Sequence, residues 1–184
     1  MTDHLSRLFI DGTWQESGSG ETFAVQNPAD GTEIARIADG NAEDMTRAID
    51  GAERAQVGWA ATPALERSRI LRRAAEIARA DIDRLARVMT AEHGKPVAQS
   101  VGELTYGLDF IEWFAEEGRR TYGTTVPSTG PDKRITAIRQ AAGVSVAITP
   151  WNFPSLQILR KLGAALASGC SMVVKPAALT PISA

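Results

Sequence analysis

Turn chemistry and short alternating runs dominate the first forty residues. In "FIDGTWQES" an Asp-Gly pair separates two apolar runs, the signal of a hairpin closed by a two-residue turn. "FAVQNPADGTEIARI" repeats the pattern, with Asn-Pro-Ala-Asp-Gly as the turn. Together they predict a small antiparallel unit. From residue 42 the period lengthens. Met45, Ile49, Ala52 and Ala55 recur at three- and four-residue spacing, which predicts a helix. The run 62–94 places Pro63 near a helix start and Gly94 as a C-terminal cap. Ile70, Leu71, Ala74, Ile77 and Ala78 form one apolar stripe within it, and Ile82, Leu85, Val88 and Met89 a second. Another helix is expected from about 97 to 121, through Val101, Leu104, Leu108, Ile111 and Phe114, with Glu112, Glu116, Glu117, Arg119 and Arg120 mostly off that stripe. Such stripes are packing surfaces and name no function.

The pattern changes after residue 122. "GTTVPSTGPDKR" reads as a loop, and "RITAIRQ" (134–140) alternates like an edge strand. "GVSVAIT" (143–149) and "CSMVVKP" (170–176) read as buried-type strands, flanking a helix over 154–169 that Gly169 ends. Strand, helix, strand within about thirty residues is a βαβ unit, and its crossover is right-handed. The carboxyl ends of the two strands then point the same way. The loop "TPWNFP" leaves the first, and Lys175 and Pro176 end the second. Open α/β sheets bind ligands along that edge.

Pro150 and Pro154 stiffen the loop, so Trp151 and Asn152 are rigidly presented. Taken singly, a loop asparagine is a turn former, a strand-end lysine a solvated cap and a tryptophan a core residue. Gathered on one edge, the lysine can bind a phosphate or a ribose hydroxyl, and the asparagine amide can donate to a developing oxyanion. Neither a G-x-G-x-x-G fingerprint after a strand nor a phosphate-binding G-x-x-x-x-G-K-[ST] is present.

Composition adds exclusions. The chain has 184 residues, 43% hydrophobic and 23% charged, an ordinary globular balance. Its 20 basic and 22 acidic residues are well mixed, which gives no nucleic-acid patch; "ERSRILRR" (66–73) reads as the wet face of a helix. The single cysteine, Cys170, allows neither an internal disulfide nor a cysteine-based zinc site, and no metal-ligand set is picked out. It fits a reducing compartment. With no signal-peptide core and no apolar run of membrane-spanning length, the expectation is a cytoplasmic protein without a membrane partner. His4 and His93 read as structural or solvent-exposed.

Several spaced segments resemble the aldehyde dehydrogenase superfamily, nearly end to end: "LFIDGTW", "FAVQNPADGTEIARI", "AERAQVGWA", "ERSRILRRAAEIA", "AEHGKPVAQSVGEL", "EEGRRTYG", "TPWNFP" and "VVKP". "FIEWFAEEGRRTYG" and "ITPWNFPSLQILRK" are most similar to the succinate-semialdehyde dehydrogenase branch. The resemblance implies an α/β fold: hairpins and helices of the cofactor-binding domain over 1–122, a loop and oligomerisation-type strand over 123–142, and the start of an incomplete Rossmann-like parallel sheet over 143–184. It implies NAD(P)-dependent oxidation of an aldehyde to an acid, by thiolate attack, hydride transfer and hydrolysis. Asn152 would be the oxyanion donor. Thr149, Pro150, Trp151 and Asn152, with Lys175, Pro176, Ala177 and Ala178, would form the cofactor wall, Lys175 meeting the adenosine ribose. Arg160 matches a family arginine that holds a semialdehyde carboxylate, a job suited to the bidentate guanidinium; it reads equally as a surface arginine.

Two departures from the family pattern stand out. The family often writes Lys-Pro-x-Glu, whereas here Ala178 takes the place of the glutamate. Without that carboxylate a 2′-phosphate meets no repulsion, so NADP is favoured over NAD, or both are used. The family's catalytic cysteine lies beyond the Lys-Pro segment, and Cys170 opens a strand instead. The expectation is an N-terminal fragment, inactive alone and unstable at its open sheet edges, of a full-length protein that is a homo-oligomer. Another branch of the family, or a short non-catalytic protein that binds nucleotide or pairs with subunits, stays open as an alternative.

Overall fold

Asp11 and Gly12 both take positive φ, 51° and 75°. Two consecutive left-handed residues make the turn whose twist matches a right-twisted strand pair. So β1 (Leu8–Ile10) folds back onto β2 (Thr13–Gln15), Leu8 opposite Gln15 and Ile10 opposite Thr13. A second antiparallel hairpin joins β3 (Thr22–Gln26) to β4 (Glu33–Ala38). The Asn27 side chain accepts from Ala29 N at 3.0 Å, and the Asp30 side chain from Thr32 N at 2.9 Å, so the turn supplies its own hydrogen bonds. The two hairpins form separate sheets rather than one unit. These are the first elements of a computed structural model that describes residues 6–184; His4 lies outside the described residues.

Four helices follow: α1 (Ala42–Ala61), α2 (Ala64–Ala80), α3 (Ile82–His93) and α4 (Val97–Glu117), the last extended by one 3-10 turn over Gly118–Arg120. Asn41 and Asp44 form a reciprocal capping box at the start of α1, and Asp44 also accepts from Gly18 N at 2.9 Å, tying the hairpins to the helices. Gly94, at φ 84°, ends α3 in the left-handed region.

Several apolar positions face outward against expectation. On α2 the buried row is Leu71 and Ala75, whereas Ile70 and Ile77 are exposed and so is Ala74. The five-residue stripe was too wide, because only one side of it meets α4. On α1, Ile49 and Ala55 are exposed. That helix docks instead through polar contacts: Gln56 Nε2 donates to Gly169 O at 2.9 Å, Trp59 Nε1 to Leu166 O at 3.1 Å, and Ser171 Oγ to Ala52 O at 2.8 Å. The basic run 66–73 is only partly wet. Arg67 is buried and its Nε donates to Ala167 O at 3.2 Å, which places a cation on the last carbonyl of the helix over Pro154–Ala167.

The βαβ unit forms as the pattern predicts. β7 (Ser145–Ile148) pairs in parallel with β8 (Met172–Lys175), Ser145 opposite Met172 and Ile148 opposite Lys175, with α5 (Pro154–Ala167) between them. β7 is less buried than its composition suggests: Ala147 is enclosed, but Val146 and Ile148 are exposed. Residues 123–134 are not wholly loop. β5 (Thr124–Val126) lies there and pairs antiparallel with β6 (Ile135–Ala137), every residue of both exposed. Two adjacent threonines and a valine suit an extended backbone, but Pro127 cuts the run below the length at which alternation shows.

The core lies where α5 crosses α4. Leu71, Ala75, Leu108, Ile111, Ala115 and Ala167 form one cluster, and Ala86, Met89 and Leu104 a second beneath α3. Glycines let the crossing helices approach. A Cβ on Gly118 would meet Ala167 O at 2.9 Å, and one on Gly163 would meet Phe110 O at 3.3 Å. Gly118→Ala therefore costs about 1–3 kcal/mol through overpacking against backbone. Gly102→Ala, at a helical position with nothing within 4 Å of the new methyl, gains up to ~1 kcal/mol from propensity. Urea denaturation of both variants checks this, and equal effects at the two sites would contradict the packing account.

Candidate functional site

α5 has no cap of its own. Its N-cap residue is Phe153, which offers no side-chain acceptor, so the amides of its first turn need a partner from elsewhere. Glu103, on α4, supplies it: Oε1 accepts from Ser155 N at 3.1 Å and from Leu156 N at 3.1 Å. The other oxygen, Oε2, pairs with Lys95 Nζ. Both side chains are buried, Lys95 at 8% exposure and Glu103 at 2%.

The same ammonium reaches the loop before α5. Lys95 Nζ donates to Asn152 O at 3.2 Å and stands 4.9 Å from the centre of the Phe153 ring. His93 Nε2 lies 3.2 Å from the same carbonyl. A carbonyl only accepts, so Nε2 carries the proton and the ring is neutral or doubly protonated. The neutral form is favoured. Burial lowers the His93 pKa from 6.5, with the nearby Lys95 charge adding to the effect. Nδ1 is buried without a partner among the described residues, so a second proton there would be stranded. The imidazole also packs on Trp151, centroids 5.7 Å apart.

A second set of bonds holds the loop from the other side. Thr149 N donates to Lys175 O at 3.3 Å, and Thr180 Oγ1 to Trp151 O at 3.4 Å. Ser155 Oγ donates to Ser183 O at 2.5 Å. The buried Glu92 carboxylate accepts from Ile182 N and Ser183 N, each at 2.8 Å, and from Ser183 Oγ. Burial raises the Glu92 pKa against those hydrogen bonds.

Residues 149–152 and 175–178 thus share one edge, as the βαβ pattern predicts. Thr149 is buried, while Pro150, Trp151, Asn152, Lys175 and Ala178 are exposed and Pro176 and Ala177 half-buried. Arg160 lies farther along α5, roughly 9 Å from its start at ~1.5 Å per residue. It is exposed, donates to Gln157 Oε1 at 3.3 Å and lies 6.0 Å from the Phe110 ring centre. Nothing ties it to the loop directly. Cys170 is buried, 5% exposed. Burial pushes its thiol up, but the Ser168 hydroxyl, the Gly143 and Ala142 amides and the Ser145 hydroxyl outweigh that and lower its pKa.

The sequence pattern singles out neither Lys95 nor Glu103, and it makes His93 structural or solvent-exposed. One signal was available. Glu103 adjoins Leu104, on the buried side of α4 with Ser100 and Leu108, and a carboxylate on an apolar face needs a partner.

A parallel βαβ pair with a rigid loop and a lysine at its carboxyl edge has the architecture of an open α/β sheet, in which that edge is the usual place for a ligand. The Aldehyde dehydrogenase family model matches residues 14–184, and the chain belongs to that family. It is 49% identical over 178 residues to the glutarate-semialdehyde dehydrogenase of Pseudomonas aeruginosa, covering 97% of this chain and 37% of that protein. It matches the NADP(+) succinate-semialdehyde dehydrogenase of Escherichia coli to the same degree: 49% identity, 97% and 37% coverage. Among solved structures, an NADP-dependent enzyme of E. coli superposes with a TM-score of 0.95 at 48% identity, over 97% of this chain and 37% of that one. The chain therefore spans a little over a third of the length of these relatives. No helix of the described residues is long and apolar enough to cross a membrane.

The edge carries polar groups of the kind that would hold a nicotinamide dinucleotide. Thr149 Oγ1 is buried with no partner among the described residues. Lys175 forms no ion pair there, its ammonium meeting only Pro176 O at 3.3 Å. The exposed Lys175 ammonium is available to a polar ligand.

The neutral His93 gives a pH test. An unfolded imidazole takes up its proton near 6.5, whereas the folded one does so at lower pH. The stabilisation is full above 6.5 and is lost as pH falls through the folded value. The stability difference between wild type and His93→Gln, read by urea denaturation, should shrink from about pH 7.5 to about pH 5. A difference that holds or grows would contradict a neutral His93.

Proposed function

We propose that this chain is the N-terminal part of an NAD(P)-dependent semialdehyde dehydrogenase, oxidising succinate semialdehyde or a similar acid-bearing aldehyde to the carboxylic acid. The observation that carries the reading is Asn152. Its loop is fixed through its main-chain carbonyl by Lys95 and His93, at the edge that also presents Lys175.

In this reading the Asn152 amide donates to the carbonyl oxygen as negative charge gathers there. A preset donor spares the reorganisation that water would need. A bound nicotinamide would supply the hydride acceptor for this oxidation. Thr149, Pro150 and Trp151 wall its binding edge, and Lys175, Pro176, Ala177 and Ala178 receive the adenosine half. Arg160 pairs with the remote carboxylate of the substrate. The nucleophilic thiolate is not Cys170, which is enclosed beside β8 and away from that edge. Residues 1–184 supply the donor and the cofactor edge, and the nucleophile role falls outside them.

In the full-length protein, Asn152→Ala should lower kcat about 10²–10³-fold, the usual effect of removing one oxyanion donor. Arg160→Met should raise KM about 10–100-fold for an acid-bearing aldehyde, as a charge-assisted hydrogen bond is lost, and leave an uncharged aldehyde of equal length unaffected. Steady-state kinetics on both substrates decide it. An unchanged kcat sinks the first assignment, and an equal KM effect on both aldehydes sinks the second.

The cofactor preference rests on Ala178. With no carboxylate after Lys175 and Pro176, kcat/KM with NADP+ should exceed that with NAD+ by about tenfold or more. Ala178→Glu should reverse the order by repelling a 2′-phosphate. A wild-type preference for NAD+ would overturn this proposal.

A further inference from the structure

Neither member of the buried ion pair beneath the loop is assigned to substrate or cofactor, yet its contacts converge on the backbone from Asn152 to Leu156. Lys95 Nζ meets Glu103 Oε2 and Asn152 O. Glu103 Oε1 holds the amides of Ser155 and Leu156. His93 Nε2 adds a second donor to Asn152 O. The main chain is therefore held on both sides of Phe153, at the carbonyl before it and at two amides after it. Pro154, which offers no amide of its own, fills the gap. The Asn152 side chain remains exposed.

We infer that Lys95, Glu103 and His93 are positioning residues for the Asn152 amide. The pair anchors the backbone at Asn152 through the rigid end of α5, so the amide stands in place before the substrate arrives. This inference rests on the reading of Asn152 as the oxyanion donor. Lys95 and His93 act by fixing the main-chain carbonyl of Asn152, whose side chain is the donor. A displacement of about 1 Å at such a donor can cost on the order of 100-fold in rate.

A double-mutant cycle in the full-length protein tests it. Lys95→Met should lower kcat about 100-fold with aldehyde KM changed less than about threefold. In an Asn152→Ala background the same substitution should cost less than about threefold, because its effect runs through that amide. His93→Phe keeps a ring against Trp151 but removes the donor. His93 is only half-buried, so this variant should keep the wild-type circular dichroism and urea midpoint to within a small shift. It should lower kcat about tenfold, again only when Asn152 is present, and His93→Gln, which restores an N–H at the same reach, should recover most of that loss. Losses that multiply fully with Asn152→Ala would overturn the positioning role and leave Asn152 standing as the donor. If Asn152→Ala alone leaves kcat intact, the oxyanion reading fails and this inference fails with it.

Discussion

One buried carboxylate–ammonium contact, Glu103 with Lys95, sets the conformation of everything around the loop. Removing two charges from water costs several kcal/mol per ion, and the Coulomb attraction alone seldom offsets it. Here every strong site on the pair has a further use. Glu103 caps a helix that brings no cap of its own, and Lys95 donates to a backbone carbonyl and faces an aromatic ring. The cost of burial is offset by groups that would themselves be unsatisfied without it. A surface ion pair of the kind Arg69 and Glu66 make could not do this, because water would compete for each contact.

Around that contact the architecture is a set of close approaches. α5 lies against α4 where glycines leave room, and that brings the first turn of α5 within reach of Glu103. Arg67 meets the last carbonyls of the same helix. Both ends of α5 are thus held by buried charges from other helices, a carboxylate at its positive end and a guanidinium at its negative end. The helix is the crossover of the βαβ unit, so fixing it fixes the edge formed by 149–152 and 175–178. The second hold, through Thr180, Ser183 and Glu92, ties the segment after β8 under the same loop.

Local chemistry made much of this legible in the sequence. Asp11–Gly12 determines its hairpin because few residues accept two consecutive positive φ values. The βαβ unit was readable because Pro154, Gly169 and Pro176 mark its boundaries, and the ligand edge follows from topology alone. Other features depend on contacts between distant segments. No periodicity shows that α1 docks through Gln56 and Trp59 rather than Ile49, or that Ile70 and Ile77 face outward. β5 is too short to alternate. The partnership of Lys95 with Glu103, and of both with residues more than fifty positions away, exists only once α3, α4 and α5 have packed. His93 was read as structural or solvent-exposed for the same reason: its partner, Asn152 O, is remote in sequence.

A preset Asn152 amide requires the loop to be held rigid before any ligand binds. Residue-resolved amide hydrogen exchange of the ligand-free full-length protein measures this directly. The Ser155 and Leu156 amides lie in a first helical turn, where free N–H groups ordinarily exchange at rates near those of open chain. The account predicts that both are protected to the level of the α5 interior, and that Glu103→Leu abolishes the protection at these two amides first. Fast exchange of Ser155 and Leu156 in the wild-type protein would contradict it.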